Sequence, residues 1–208
     1  MAPKKEKMNP TGKRREKQKA ETRALILESA RHLFEAEGFK ATTMRNVAIK
    51  AEIGLGTIYK HFKNKAALLV AALLEGLTHL YATATEKLPS DMPLRQQLVQ
   101  MARPFYAYYT ARPALARAYL TNLFAMDDDL LAPVNAFDRD YAETISRLVR
   151  QAQKGGELDA EKETAFVTMA FMAAYFYVLV TCFLRSNETD PEKMLATLDA
   201  LLAPTIAR

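Results

Sequence analysis

Residues Thr42–Phe62 read TTMRNVAIKAEIGLGTIYKHF. Either Thr42 or Thr43 can cap a helix, and Asn46 stands three residues after Thr43, where a capping-box residue belongs. Val47, Ala48 and Ala51 form the inner face of that helix, which ends near Lys50. Gly54 and Gly56 flank Leu55 in a tight turn, and a second short helix follows. Ile53, Ile58 and Phe62 point one way, leaving Thr57, Tyr59, Lys60 and His61 on the other faces. Two short helices joined by a tight turn can present the second to a DNA major groove, which admits one helix and displays a distinct pattern for each base pair. Glycines at the turn let the backbone come close to DNA, because they carry no side chain to clash. Thr42 or Thr43 opens one helix N-terminus and Lys65 sits at another, and such ends offer free N–H groups to phosphates. Tyr59, His61 and Lys65 can each donate to phosphate oxygens, which sets register without reading sequence.

Upstream, Ala24, Ile26, Leu27, Ala30, Leu33 and Phe34 recur at helical spacing and predict a first helix over about Glu21–Glu37, stopped by Gly38, after which Phe39 re-enters the core. Before it, residues 1–19 carry Lys4, Lys5, Lys7, Lys13, Arg14, Arg15, Lys17 and Lys19, broken by Pro3, Pro10 and Gly12, with almost nothing to bury; they read as a disordered basic arm. Downstream, Asn64 can cap a fourth helix running from Lys65 toward Lys87. The chain is thus read as a basic flexible arm at 1–20, a DNA-binding unit at 21–66 and a helical remainder at 67–208.

Charge follows the same division. The net charge is +5, but residues 1–65 hold 16 Lys/Arg against 7 Asp/Glu, while residues 66–208 hold 13 against 17. A polyanion partner is therefore expected for the N-terminal third alone. The one cysteine, Cys182, excludes an intrachain disulfide, and no apolar run follows the basic N-terminus as a signal peptide would need, so a cytoplasmic location is expected. His32, His61 and His79 are not arranged as a metal set, and no nucleophile–base pair or phosphate loop is present; neither a metal, a cofactor nor an enzymatic activity is expected.

The remainder reads as an all-α bundle. Pro89, Pro93, Pro113, Pro133, Gly155-Gly156 and Pro191 punctuate it, predicting helices near 93–110, 113–125, 133–153, 159–185 and 190–203. Pro104 should kink or break the first of these, and Asp127-Asp128-Asp129 reads as a solvated loop before Pro133. Thr164–Leu184 has no charged residue, which is long enough to cross a bilayer, but no second such span is evident; the expected state is a helix buried on all sides, one face on its own bundle and the other on a second subunit, with no membrane. Aromatic and methionine side chains crowd this part. Phe105, Tyr109, Phe124, Phe137, Tyr141, Met169, Met172, Tyr175 and Phe176 are the candidates to line a pocket for a largely apolar or aromatic ligand.

Over residues 22–69 the chain resembles the DNA-binding domain of the TetR family of transcriptional regulators. The residues that carry the resemblance are Thr22-Arg23, Ile26-Leu27, Ala30, Leu33-Phe34, Gly38-Phe39, Thr42-Thr43-Met44, Val47-Ala48, Ala51, Ile53, Gly54, Gly56-Thr57-Ile58-Tyr59, His61-Phe62, Asn64-Lys65 and Leu68. Glu52 and Gly54 stand where Gly and Ser are common in that family. The resemblance implies a three-helix N-terminal helix-turn-helix domain and a C-terminal bundle for ligand binding and dimerisation. It implies a homodimer on a near-palindromic double-stranded DNA operator, most often a repressor released by a small-molecule effector. By the family pattern Leu55, Gly56 and Thr57 face bases, Thr43, Tyr59, His61 and Lys65 hold phosphates, and Arg45 does either; Thr42, Gly54 and Lys60 complete the expected surface. The two long C-terminal helices, about 159–185 and 190–203, would pair across the dimer.

Overall fold

The computed structural model describes residues 10–86, 88–89, 91–186 and 189–206, all helix and connecting turns with no strand among them. Lys4, Lys5 and Lys7 of the basic arm, and Lys87 at the expected end of the fourth helix, lie outside the described residues. The helices are α1 (Pro10–Ala36), α2 (Gly38–Ala41), α3 (Met44–Lys50), α4 (Leu55–His61), α5 (Lys65–Glu86), α6 (Leu94–Thr110), α7 (Pro113–Asn122), α8 (Asp128–Lys154), α9 (Thr164–Val180) and α10 (Pro191–Ile206).

The N-terminal head is built on α1, α3 and α4. Ile26, Leu27, Ala30, Leu33 and Phe34 of α1 bury against Met44, Val47 and Ala48 of α3 and Ile58 of α4, with Phe62 closing the cluster. Gly38 leaves α1 at φ +80°, the left-handed conformation that its lack of a Cβ permits. Thr43 is the cap of α3: its hydroxyl accepts from Asn46 N–H at 3.1 Å.

The arm differs from expectation. From residue 10 onward it is not irregular but the first part of α1. Lys, Arg, Glu and Gln are good helix formers, and Pro10 occupies the first helical position, where its missing N–H costs nothing. Want of apolar residues makes this segment exposed without making it irregular, and Lys17–Glu21 pairs along it at 3.9 Å.

Helix α5 joins the head to the body, where it packs on α6, α7 and α8, while α9 and α10 pack together on the far side. Asn64 caps it, accepting from Ala67 N–H at 2.8 Å. Several expected boundaries move. Helix α6 runs through Pro104 unbroken, held on both sides of the proline by buried Met101, Ala102, Phe105 and Tyr106. Asp127-Asp128-Asp129 is not a solvated loop: Asp127 accepts from Leu130 N–H at 3.0 Å and caps α8, which starts five residues before Pro133 with Asp128 and Asp129 in its first turn. Helix α9 begins only at Thr164, because Asp159 folds its own segment into a turn by accepting from Glu161 N–H. The last turns before Ser186 widen to a π-helix. A second helix besides α9, Lys65–Thr85, is long and apolar enough to cross a membrane, contrary to the single span expected; its apolar residues Leu68, Leu69, Val70, Ala72, Leu73 and Leu77 are buried in the fold.

The turn between α3 and α4 carries a local conflict. Ile53 N–H donates to Ala48 O at 3.0 Å and Glu52 N–H to Ile49 O at 3.1 Å, a Schellman closure that puts Glu52 at φ +55°. For a residue with a Cβ that conformation costs about 1–2 kcal/mol. Glu52→Gly should therefore raise stability, by about 1 kcal/mol, and lift the melting temperature by a few degrees; a variant that melts at or below the wild-type temperature would show that no strain is held there.

Candidate nucleic-acid interface and ligand cavity

Helix α4 turns its apolar side inward through Ile58 and leaves a front of small and polar groups. Gly54, Leu55, Gly56, Tyr59 and Lys60 are exposed, and Thr57 and His61 are half-buried. Gly54 caps α4 with extended backbone, and Thr57 N–H closes the first turn onto Gly54 O at 2.8 Å. A Cβ built at Gly56 would meet nothing within 4 Å, so the protein's own packing does not require glycine there. Thr43, Arg45 and the apolar Ile49 are exposed on α3 beside this front. Arg23 lies over the Phe62 ring at 4.7 Å, and burial together with the charges of Arg23 and Lys19 holds the His61 pKa below its usual value.

Two expected contact residues are spent inside the protein. Thr42 is wholly buried, and its hydroxyl donates to Gly38 O at 2.9 Å, so no side chain is left for DNA. Lys65 turns back under the head: its Nζ donates to Phe39 O at 2.5 Å, Thr42 O at 2.8 Å and Lys40 O at 3.3 Å, and sits 4.4 Å from the centre of the Phe39 ring. Burial lowers its pKa. A lysine next to a helix N-terminus reads as a phosphate ligand until the chain-reversing carbonyls of α2 are placed beside it, and those come from residues over twenty positions away.

The body holds a ligand-sized recess. Phe105, Tyr109, Phe137, Tyr141, Met172 and Tyr175, all expected, surround one small void of about 30 Å³ with Leu74, Leu77, Tyr119, Val134 and Asp138. A groove of about 380 Å³ continues from it past Tyr109, Tyr119, Val134, Asp138 and Tyr175 to Leu131, Asn135, Phe176 and Phe124. Phe124 stands 86% exposed at its rim, and Met169 does not take part, lying 64% exposed on the outer side of α9. The rings pack edge-on and stacked, Phe105 on Tyr141 at 5.2 Å and Phe137 on Tyr141 at 6.3 Å. Asp138 is absent from the expected set. Its signal in the sequence is a carboxylate interrupting the α8 stripe Val134, Asp138, Tyr141 at positions four and three apart.

Head and body meet at a wider cleft of about 920 Å³, lined among others by Arg23, His61, Lys63, His79, Asp129 and Phe137. Lys63, directly after α4, reaches Asp127 at 3.5 Å and Asp129 at 3.4 Å across it. On the other side Glu35 of α1 accepts from Leu115 N–H at 2.7 Å and Ala114 N–H at 3.3 Å, capping α7 from the head. Arg31 of α1 bonds Glu75 of α5 at 2.8 Å.

The placement of Lys65 makes an expectation. Lys65→Ala should destabilise the head by about 1–3 kcal/mol, since three carbonyls lose a charged donor, and should weaken DNA binding without changing the slope of log K against log salt. Lys60→Ala should leave the melting temperature alone and reduce that slope by about 0.9, the value for one phosphate contact. An unchanged melting temperature with a flattened slope in Lys65→Ala would return that lysine to the DNA surface.

Known proteins share this arrangement. Residues 26–72 match the family described as bacterial regulatory proteins, tetR family, and residues 91–179 match the tetracyclin repressor-like C-terminal domain. The HTH-type transcriptional regulator TtgR of Pseudomonas putida is 34% identical over 163 residues, covering 72% of this chain and 76% of TtgR. The HTH-type transcriptional regulator UidR of Escherichia coli is 22% identical over 158 residues, covering 76% of this chain and 80% of UidR. In structure the chain is similar to the transcriptional regulator FadR from Bacillus subtilis in complex with stearoyl-CoA, with a TM-score of 0.71 at 16% identity over 88% of this chain and 97% of that one. The helix-turn-helix head, the matched C-terminal domain and the TtgR similarity together establish that the chain belongs to the TetR family of transcriptional regulators.

Proposed function

We propose that this regulator is a repressor, not an enzyme, that works in the cytoplasm as a homodimer on a near-palindromic operator and leaves it when a small, largely apolar or aromatic effector enters the recess of the body. Leu55, Gly56 and Thr57 face base edges; Thr43, Tyr59, Lys60 and His61 hold phosphates, with Arg45 on either. The observation that carries the reading is Gly56: it sits in the exposed first turn of a helix, where alanine would fit the protein and favour the helix.

An unpartnered face supports the dimer. Phe166, Met169, Ala173 and Tyr177 form an exposed stripe along α9, and Ala196, Ala200, Leu201 and Pro204 lie exposed on neighbouring α10. No charged residue breaks either stripe, and an apolar patch of this kind on a folded domain is a partner surface.

The route from effector to operator runs along α8. This helix carries Val134, Phe137, Asp138 and Tyr141 at the recess and Asp127 and Asp129 at its N-terminus, which meet Lys63 behind the reading helix. Phe137 lines both the inner void and the head–body cleft. A ligand that displaces Phe137 or α8 therefore changes how the head is seated, and two heads reset in this way lose the spacing of successive major grooves.

Gly56→Ala should keep or raise the melting temperature yet weaken operator binding at least tenfold in a gel-shift assay at stated salt. Full affinity in that variant would remove α4 from the groove. Met169→Asp should give a monomer by light scattering and lose most operator affinity, with binding to random duplex little changed; a dimer of normal affinity would move the interface elsewhere.

A further inference from the structure

The recess in the body is not simply apolar. Tyr141 is 2% exposed, and its hydroxyl has no hydrogen-bond partner among the described residues, a state that buried polar groups rarely keep. Asp138 lines both the inner void and the groove, and among the described residues its carboxylate forms no ion pair with Lys, Arg or His. Its side chain is exposed along the groove, and the protein that partly surrounds the carboxyl raises its pKa. Among the described residues no Lys, Arg or His lines either the void or the groove, so their lining there carries one carboxylate and no cation.

Around that carboxylate stand π-faces. Tyr141 packs with Phe105 at 5.2 Å, Tyr175 at 5.9 Å and Phe137 at 6.3 Å, and Phe105 meets Tyr175 at 6.5 Å. Rings of this kind attract a cation over their faces, most strongly where water is excluded. The void they enclose, about 30 Å³, has room for one ammonium-sized group, and the 380 Å³ groove outside it is of the size that takes a small organic molecule.

We propose that the effector is an arylalkylamine whose protonated nitrogen enters the void, donating to the Asp138 carboxylate and the Tyr141 hydroxyl oxygen, while its flat apolar body lies in the groove against Tyr119, Val134 and Phe176. This rests on the reading of the recess as the effector site and adds the charge and shape of what it accepts. An anionic ligand would meet a carboxylate with no cation to offset it. A neutral one would leave the Asp138 carboxylate without a counter-charge.

Three matched probes test it by isothermal titration calorimetry on the full chain: naphthylmethylamine, naphthylmethanol and naphthoate. The amine should bind at least tenfold tighter than the alcohol, and naphthoate weakest. Asp138→Asn should erase the advantage of the amine while leaving the alcohol unchanged, with the melting temperature close to that of the wild type, since the side chain is exposed. Tyr141→Phe should weaken the amine more than the alcohol. Equal binding of amine and alcohol to the wild type, or an amine preference that survives in Asp138→Asn, would overturn the proposal. Asn135→Trp, which fills the groove from its exposed side, separates the two levels. If it abolishes binding of probes that show no amine preference, the recess stands as the effector site and the amine assignment falls. If it leaves binding untouched, or none of the three probes binds, both fall.

Discussion

Helix α5 has to bury apolar side chains against two bodies at once, and the rest of the structure follows from that constraint. Its first residue, Lys65, is drawn under the head by three carbonyls of the α2 segment, and Leu68 and Leu69 are fully buried. Further along, Ala72, Leu73 and Leu77 are buried too, and Leu74 and Leu77 line the inner void of the body. Each fully buried leucine contributes about 1.5–3 kcal/mol. The helix therefore cannot leave either body cheaply, and a shift of one is transmitted to the other as a tilt.

The polar contacts that join head to body elsewhere are much weaker. Lys63 to Asp127 and Asp129 is an exposed contact at 3.4–3.5 Å, the class of ion pair worth about 0–1 kcal/mol. Arg31 with Glu75 is better sheltered on the arginine side, and Glu35 on the N-terminus of α7 is a single cap. Helices α1 and α2 pack on α7, and a wide cleft lies on the α8 side of the junction. A strong hinge helix beside weak polar tethers lets the head change its seat without losing its own core of Ile26, Leu27, Phe34, Val47 and Ile58.

The head is almost wholly legible in the sequence because its signals are local. Thr43 capping α3, the glycines of the turn and the inward Val47, Ala48 and Ile58 all act within a few residues of one another. Lys65 and Thr42 mislead because their partners, the carbonyls of Phe39 and Gly38 among them, are set by chain reversal and not by periodicity. The arm misleads because composition reports burial, and an exposed helix buries nothing. In the body the helices are legible but their ends are not, since Asp127 and Asp159 act as a cap and a turn former that look like any acidic loop until their N–H donors are placed. Most of the aromatic set does gather at the recess; which of its members face a void depends on the turn of α8 and α9 about their axes, which puts Met169 on the outer side of α9 and Asp138 at the wall of the recess.

That rotation decides how an effector could act. A ligand shifts an equilibrium only by its differential affinity for the two states, and a tenfold difference corresponds to about 1.4 kcal/mol. The polar tethers at the cleft are of that size, whereas the buried face of α5 is several times larger. A ligand that pushed directly on α5 would have to work against its core. One that enters between Asp138 and Tyr141 instead presses on α8, whose N-terminal end meets Lys63 of the head through exposed charges and whose Phe137 lines both the void and the cleft. On the proposed reading, the recess sits beside an element of the body that can pass a displacement of this cost to the reading helix.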